Sequence, residues 1–469
     1  MSLFSRLNTH LEAHADGAGP VRGTLSLPRM AFIWLAANFV VTTLLTGTFF
    51  IPAIGFGAAV TLIVVGTIAG AVVLVLVGYI GTRTGLPTMA LTRGAFGIRG
   101  SLLPAYANIV SLMGWVCVQA MLAGITVDYV VQTYTGYSNP VLFAALSQAI
   151  AVVLAIFGHE GIARVEPWLA VVMVGFAAWI FTTAFAAFPP AAYLAIPVDE
   201  TLGLTPAIVL DLVISTAIAW TVLAADINRH ARDGRASILG SGVGYTISTV
   251  IAMLLGATAT GYLVLQGETP LPFDPAPIVA AFGVPLAAVI FLSVMATNVV
   301  ALYGITTSAI NAAPRGRLRF LPAVLVLGAI SIAGSTWLGL LSQFTTFLTM
   351  IGGFFVPVFA IMIVDYFFIK RRNYTADMLR SGSGRYWYRG GVNMIAIGCW
   401  ALGALVSYLL AYVLHSPTGA TIPAFVLTFV VYLVAMLPER RRGEVAPYAH
   451  LGDAGSAEPA PAVATGERA

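Results

Sequence analysis

Trp115 and Gln119 stand one helical turn apart within a long apolar stretch. An indole face stacks on a flat ring for about 0.5–1.5 kcal/mol, and an amide offers both hydrogen-bond donors and an acceptor. The pair is therefore suited to binding a planar heterocycle. An interhelical tryptophan beside a structural glutamine is the simpler interpretation, and it stays open.

Polar residues also interrupt three other apolar stretches near their middle. A polar side chain in hydrocarbon costs free energy unless it finds a partner, so these positions are candidate sites. Alternatively, Ser and Thr bond the backbone of their own helix, and small residues serve close packing. A threonine hydroxyl, with carbonyls freed by a helix break, could supply oxygen ligands to a small monovalent cation. The polar positions are Asn38, Thr42, Thr43, Thr46 and Thr48; Ser215, Thr216 and Trp220; and Ser293, Thr297 and Asn298.

The elements that position these residues must cross a membrane. Of the 469 residues, 59% are hydrophobic and 9% are charged, and the mean hydropathy is +0.92. Soluble domains are roughly 25% charged, and here the apolar runs repeatedly reach the ~20 residues of a membrane-spanning helix. We predict an all-α integral membrane protein. Cys117 and Cys399 both lie in apolar segments, which argues against a disulfide framework or a cysteine zinc site.

Twelve spans separate the chain into loops of opposite charge character. All 23 Lys and Arg residues fall on one side, which predicts that both termini are cytoplasmic. From the composition of residues 1–29 we also expect that no signal peptide is cleaved there. This bias explains the net charge of +4, so we expect the lipid bilayer and no nucleic acid as a partner. We predict a transporter domain over 30–437 and a disordered tail over 438–469. The spans are 30–50, 54–81, 102–131, 140–158, 166–187, 204–226, 237–265, 276–312, 320–341, 343–369, 391–414 and 419–437.

The first ten spans can be divided into two halves of five. Because five is odd, such halves must be inverted relative to each other, and the charges agree: span 1 follows Arg29, whereas span 6 follows Glu200. Polar residues in both span 1 and span 6 are then the sign of discontinuous helices around a midplane site. Four candidate acidic residues in the spans lie toward span ends, where anchoring is favoured over proton relay: Asp128, Asp211, Asp226 and Asp365.

Four segments resemble the nucleobase:cation symporter family, and cytosine permeases most closely. They are GLPTMALTRGAFGIRGSLLPAYANIV at 85–110, GWVCVQA at 114–120, ADINRHAR at 225–232 and ATNVVALY at 296–303. The resemblance covers about residues 24–440. It implies the LeuT-like fold, with a five-plus-five inverted repeat and two extra C-terminal helices. It also implies import of a nucleobase-like compound by cation symport across the plasma membrane, without another cofactor.

The same resemblance implies site residues. Trp115 matches the tryptophan that stacks on the base, and Gln119 matches a substrate-bonding glutamine of the hydantoin branch. The second stacking aromatic falls on Ala217, beside Thr216, and Trp220 lies one turn away. In span 8 the matching positions are Asn298 and Ser293. These departures leave cytosine, a purine and a hydantoin-like ring open.

The family's sodium site uses carbonyls of span 1 and hydroxyls of span 8. The carbonyls fall near Ala36 and Phe39, and the hydroxyl pair is Ala296 and Thr297 here. Because one of these hydroxyls is missing, H⁺ stays open as the coupling ion, although Na⁺ is slightly favoured.

Other classes of protein lack their motifs in this sequence. An enzyme is disfavoured because there is no HExxH and because the only lysine, Lys370, is in no phosphate-binding motif. GVGY at 242–245 is part of a potassium-filter sequence, but glycine packing explains it more simply. A channel or a transporter-like sensor of small heterocycles stays the alternative.

Overall fold

The protein is helical throughout the part that the computed structural model describes, residues 20–156, 160–269, 271–312, 318–380 and 384–442. Its β-pairing there is limited to the isolated bridges Leu25–Ala231 and Arg389–Val392. Helices satisfy their own backbone hydrogen bonds, which hydrocarbon cannot do for them. The prediction of an all-α membrane protein is confirmed.

Seventeen α-helices follow one another in the described residues. Short 3₁₀ or π turns extend or join them at Glu200–Leu202, Leu338–Gln343, Asp365–Ile369, Ala376–Leu379 and Leu409–Val413. The α-helices are α1 Leu27–Asn38, α2 Val41–Thr48, α3 Phe56–Thr84, α4 Thr88–Phe96, α5 Leu102–Thr135, α6 Pro140–Ile156, α7 Glu160–Ala187, α8 Pro190–Leu194, α9 Pro206–Thr221, α10 Ala224–Asn228, α11 Gly234–Leu265, α12 Ala276–Phe282, α13 Pro285–Ala312, α14 Phe320–Ser335, α15 Phe344–Val364, α16 Met394–Tyr408 and α17 Thr421–Arg442.

Among the described residues, seven helices are long and apolar enough to cross a membrane, or eight if α1 and α2 form one bent span. Four shorter apolar helices accompany them. Each predicted span overlaps one or two helices, but the prediction of a single helix over 276–312 is wrong. Gly283, with φ +99°, and Pro285 end one helix and begin the next. Residues 1–19 and 443–469, which include most of the predicted tail, lie outside the described part.

The helices of the predicted spans 1 and 6 are both interrupted, near the middle of span 1 and near the end of span 6. α1 and α2 meet at 56° across Phe39 and Val40, and Val40 is extended (φ −124°, ψ 159°). α9 and α10 are separated by Val222 and Leu223. The inference of discontinuous helices from mid-span polar residues therefore agrees with the structure.

Asn38 holds the first break against α11. Its amide donates to the hydroxyls of Ser248 and Thr249, and its oxygen accepts from Thr43 across the break at 3.3 Å. Nearby, a Cβ atom on Gly244 would come within 2.9 Å of Trp34 Cβ and closer still to the Ala31 carbonyl oxygen, so α1 lies very close to α11. The glycines of GVGY thus serve helix packing.

The loops that carry Arg93, Arg99 and Arg229 lie together, and we call this side of the molecule the arginine face. Asn228 joins three helices there: it accepts from Trp34 Nε1 at 2.7 Å and donates to Ser237 and Ser241 at 3.0 and 3.1 Å. The Thr88 amide donates to Asp226 at 2.9 Å, which attaches α4 to α10.

Residues 370–380 and 384–393, which follow α15, pack against α4. Tyr388 donates to the Gly94 carbonyl at 2.8 Å, and the Asn393 amide donates to the Ala95 carbonyl at 2.7 Å. Lys370 lies in this packing with 2% of its surface exposed, and its ammonium lies 5.5 Å from the Tyr388 ring centroid. The arginine face therefore carries an ordered layer of loops.

The intramembrane carboxylates make anchoring hydrogen bonds. Asp211 of α9 accepts from the Ala420 and Thr421 amides at 2.6 and 3.0 Å, at the start of α17. Asp365 accepts from Tyr374 at 2.8 Å and Tyr432 at 3.1 Å. Asp128 accepts from the Ser138 hydroxyl and the Asn139 amide, and so fixes the turn between α5 and α6.

Candidate functional site

A cavity of about 500 Å³ lies where both broken helices meet α5 and α13. Its wall includes Val40 at the first break and Val222 and Leu223 at the second. From there it extends toward the arginine face, where Arg93 and Arg229 line it. Backbone groups left without helical partners at such breaks can bind polar ligands inside a membrane.

One face of α5 forms a continuous wall of this cavity. Ala105, Asn108, Leu112, Trp115 and Gln119 all line it, at spacings of three or four residues. Residues at this spacing stack on one side of a helix, so the sequence of α5 alone determines that they face the cavity together. Trp115 and Gln119 are thus both lining residues, as the spacing predicted.

Aromatic contacts fix the orientation of the two lining tryptophans. Trp115 packs edge-to-face against Phe344 and Phe347, with 5.6 Å between ring centroids in each case. Trp220, on α9, makes an edge-to-face contact with Trp34 at 6.3 Å. Indole rings held at their edges keep a fixed plane, which a flat ligand can use for stacking.

Gln119 supplies a hydrogen-bond acceptor that the protein leaves unused. It is 7% exposed, and no described residue bonds its Oε1 atom. A buried amide oxygen without a partner costs about 1–3 kcal/mol, which a ligand N–H can recover. Thr216 also lines the cavity; its hydroxyl donates to the Leu212 carbonyl at 2.9 Å and keeps its lone pairs for a ligand.

Three predicted site residues lie outside the cavity wall. Ala217 is fully buried against α3 at Gly70, and Ser293 is 5% exposed within the bundle. Asn298, fully buried, donates to Gln148 Oε1 at 2.7 Å. Ala217 and Asn298 each follow a lining residue, Thr216 and Thr297, and point about 100° away from it, because successive helical side chains point in different directions. Trp220 lines the cavity in place of an aromatic residue at Ala217.

The predicted cation ligands lie around the first break. Ala36 belongs to the last turn of α1, whose carbonyls have no further helical amide to bond, and Phe39 is the residue that ends it. Thr297 lines the cavity from α13, and its hydroxyl donates to the Ser293 carbonyl at 3.0 Å, which leaves lone pairs for a cation. The described residues hold no group of three His, Cys, Asp or Glu side chains that could bind a metal ion.

An aromatic cluster packs at the other end of the site, away from the arginine face. Phe273 stacks on Phe344 with 3.8 Å between centroids, and Phe49 lies 5.6 Å from Phe273. The Phe273 amide donates to the Thr48 hydroxyl at 2.8 Å, which fastens the loop after α11 to α2. The cluster adjoins the site through the contact of Phe344 with Trp115.

The sequence reasoning missed the lining residues nearer the arginine face. They are Asn108 on α5 and Tyr303, Gly304, Thr307 and Ser308 on α13. Helical spacing was the available signal, because Asn108 lies seven residues before Trp115, on the same face of the helix.

Comparison with known proteins supports a transport function. Residues 23–433 match the family described as permeases for cytosine/purines, uracil, thiamine and allantoin. YxlA of Bacillus subtilis (strain 168), provisionally named a purine-cytosine permease, is 31% identical over 409 residues, 80% of this chain and 82% of its own length. The cytosine permease of Escherichia coli (strain K12) is 25% identical over 405 residues, 84% of this chain and 88% of its own length.

A solved structure shares the fold. It is that of Mhp1, a nucleobase-cation-symport-1 family transporter, in a closed conformation with bromovinylhydantoin bound. The TM-score is 0.76 at 21% identity, and the match covers 92% of this chain and 97% of Mhp1. The expected LeuT-like architecture is supported by this likeness. Since the family match covers most of the sequence, the chain belongs to the membrane permease family for cytosine/purines, uracil, thiamine and allantoin and is a transporter rather than an enzyme.

Proposed function

We propose that the protein imports a planar, N–H-bearing heterocycle of the nucleobase or hydantoin type, together with a monovalent cation, by alternating access. The observation that carries the proposal is the unpartnered Gln119 Oε1 atom, one turn from Trp115 in a cavity between two helix breaks. An acceptor beside an indole face favours a flat ring that can both stack and donate. The family membership supports the same class of substrate.

In this mechanism the chain's residues bind and orient the ring. Trp115 stacks on it, Gln119 accepts a ring N–H, and Thr216 and Trp220 complete the wall from α9. Asn298, Ser293 and Ala217 act behind the wall, where Asn298 links α13 to Gln148 of α6. Ala217 supplies no second stacking ring, so a purine, a pyrimidine and a hydantoin remain candidates.

Coupling requires that the cation and the ring bind to the same state. The carbonyls at Ala36 and Phe39 and the Thr297 hydroxyl are oxygen donors of the kind that Na⁺ takes, so Na⁺ is our first choice and H⁺ the alternative. These ligands belong to α1 and α13, two helices that also line the cavity. A bound cation would therefore favour the arrangement of the wall that receives the ring.

Alternating access follows from which end of the cavity is closed. The phenylalanine cluster packs beside Trp115 at one end, and the cavity extends toward the arginine face, which the charge bias assigns to the cytoplasm. We infer a state from which the ring is released inward, and twelve membrane spans with both termini cytoplasmic complete the proposed topology. An opposite state would open the phenylalanine cluster and close the wall near Arg93.

The test is ligand binding to the purified protein, followed by thermal stabilisation. Cytosine, uracil, hypoxanthine, hydantoin and allantoin are each added in Na⁺ and in K⁺ at fixed pH. One ring compound should stabilise the protein by about 2.7 kcal/mol at 100 times its Kd, with a lower Kd in Na⁺. A shift independent of Na⁺ would favour H⁺, and no shift with any ring at millimolar concentration would refute the proposed substrate class.

A channel or a sensor predicts a different result from vesicles. A coupled transporter accumulates the ring above its external concentration when a cation gradient is imposed. A channel only equilibrates it, and a sensor binds it without uptake.

A further inference from the structure

Asn108 is a buried polar residue that the proposed site does not use. It is 1% exposed, it lines the cavity, and no described residue bonds its Oδ1 atom. Leaving this acceptor unpaired costs about 1–3 kcal/mol, and an aliphatic residue at 108 would avoid that cost. The Asn108 amide oxygen can therefore accept a hydrogen bond from a ligand.

Asn108 is too far from Trp115 to contact the same ring. It precedes Trp115 by seven residues and Gln119 by eleven on the same face of α5, which separates them by about 10 Å and about 16 Å along the helix. A single planar heterocycle stacked on Trp115 cannot span this distance. Asn108 must then serve a second position along the cavity.

The wall opposite Asn108 provides the other components of a binding site. Asn108 lies six residues after the start of α5, and Thr307 lies five residues before the end of α13. α5 and α13 pack against each other, and Asn108 and Thr307 both line the cavity that also contains Arg93 and Arg229. Tyr303, from the same part of α13, adds an aromatic ring.

Gly304 shows that this part of the cavity has room. A Cβ atom built on it would meet no described atom within 4 Å, although the residue lies in the middle of a membrane helix. A side chain at 304 would enter the cavity at the level of Tyr303 and Thr307. The absence of one keeps this level open.

We propose that the cavity contains a second binding site for the transported heterocycle, formed by Asn108, Tyr303, Gly304 and Thr307, on the path from Trp115 to the arginine face. The inference rests on the proposed function. The second site accepts a ring N–H at Asn108 but lacks the paired tryptophans, so it binds more weakly than the Trp115 site. The ligand binds there transiently between the Trp115 site and the arginine face.

Binding stoichiometry tests this inference. Equilibrium dialysis of the purified full chain with radiolabelled cytosine, uracil or hydantoin should give two bound rings per chain at saturation. Asn108→Leu and Gly304→Leu should each reduce the number to one and leave the tighter Kd unchanged. Trp115→Ala should remove the tighter site and keep the weaker one. Ser111→Ala, on α5 but outside the cavity wall, is the matched control and should still bind two.

The outcomes separate this inference from the proposed function. One ring per wild-type chain, lost in Trp115→Ala, would support the proposed function and overturn the second site. In that case Asn108 would bond only water. Two rings in both leucine variants would place the weaker site elsewhere and also overturn it. If the wild type binds none of these probes and none of the five ring compounds stabilises it, the proposed function fails and this inference fails with it.

Discussion

In the proposed binding of one ring, Trp115 provides a stacking surface and Gln119 provides a directional hydrogen bond. The indole tolerates any flat ligand, whereas the amide oxygen selects for an N–H at one position on the ring edge. Selectivity among nucleobases should therefore depend on residue 119 more than on residue 115. Replacing the glutamine should change which ring is preferred, and replacing the tryptophan should weaken all of them.

Trp115→Ala should reduce uptake of the identified ring at least tenfold, because the stacking surface is lost. The matched control is Trp179→Ala, which removes a tryptophan that is 55% exposed on the outside of the bundle. Uptake into vesicles, normalised to the amount of inserted protein, is the measurement. Normal uptake by a correctly inserted Trp115 variant would exclude this residue from the site.

Thr297→Ala should raise the Na⁺ concentration for half-maximal uptake about tenfold, equivalent to ~1.4 kcal/mol of cation binding. Thr126→Ala is the control, because its hydroxyl also donates to its own helix backbone, at 2.7 Å, but does not line the cavity. An unchanged Na⁺ dependence in Thr297→Ala would show that the hydroxyl is not a ligand.

Some site residues could be predicted from sequence and others could not. Spacing along one helix places Trp115 and Gln119 on a common face without any knowledge of the neighbouring helices. To predict that Ala217 and Asn298 point away from the cavity, the rotation of each helix about its own axis must be known within about 100°. Apolar segments do not reveal this rotation, because their faces differ little in polarity. The family resemblance gave the position in the chain but not this rotation.

At the scale of elements, the helix breaks are the feature that the sequence indicated most directly. Polar residues in the middle of the predicted span 1 indicated a discontinuous helix, and the structure breaks that span at Phe39 and Val40. The separation of α12 from α13 was missed because its residues are apolar on both sides of Gly283. Hydropathy gives no signal for a change of direction within an apolar run.

Asp211 joins two distant elements, and its loss should weaken the protein. Asp211→Ala would leave the Ala420 and Thr421 amides without their acceptor at the start of α17, and we expect a loss of about 1–2 kcal/mol. Asp211→Asn keeps an acceptor oxygen and should lose less. Thermal denaturation of the two variants in detergent, at equal protein concentration, gives the comparison; equal midpoints for wild type and Asp211→Ala would contradict the capping role.

At the scale of the whole molecule, the cavity's direction predicts from which side it can be reached. Ser308→Cys places a thiol at the arginine-face end of the cavity, and the native Cys117 and Cys399 are only 5% and 6% exposed. A membrane-impermeant thiol reagent should label Ser308→Cys in inside-out vesicles, and the bound ring should slow the labelling. Exposed Thr201→Cys, in the loop before α9, should show the opposite sidedness. Labelling of both variants from one side would refute the proposed orientation.

Most of the molecule's plan was available from composition and charge: its class, its approximate spans and its predicted orientation. The loop contacts of the arginine face could not be predicted, because Tyr388 and Asn393 bond to α4, hundreds of residues earlier in the chain.

Lys370, the only lysine of the chain, is enclosed by that packing. Amine-directed dyes and cross-linkers should therefore find no accessible lysine in the native protein, and a preparation that takes up such a label at Lys370 has lost its loop layer. The extent of labelling at Lys370, measured by mass spectrometry, therefore reports whether a purified sample is intact and needs no engineered tag.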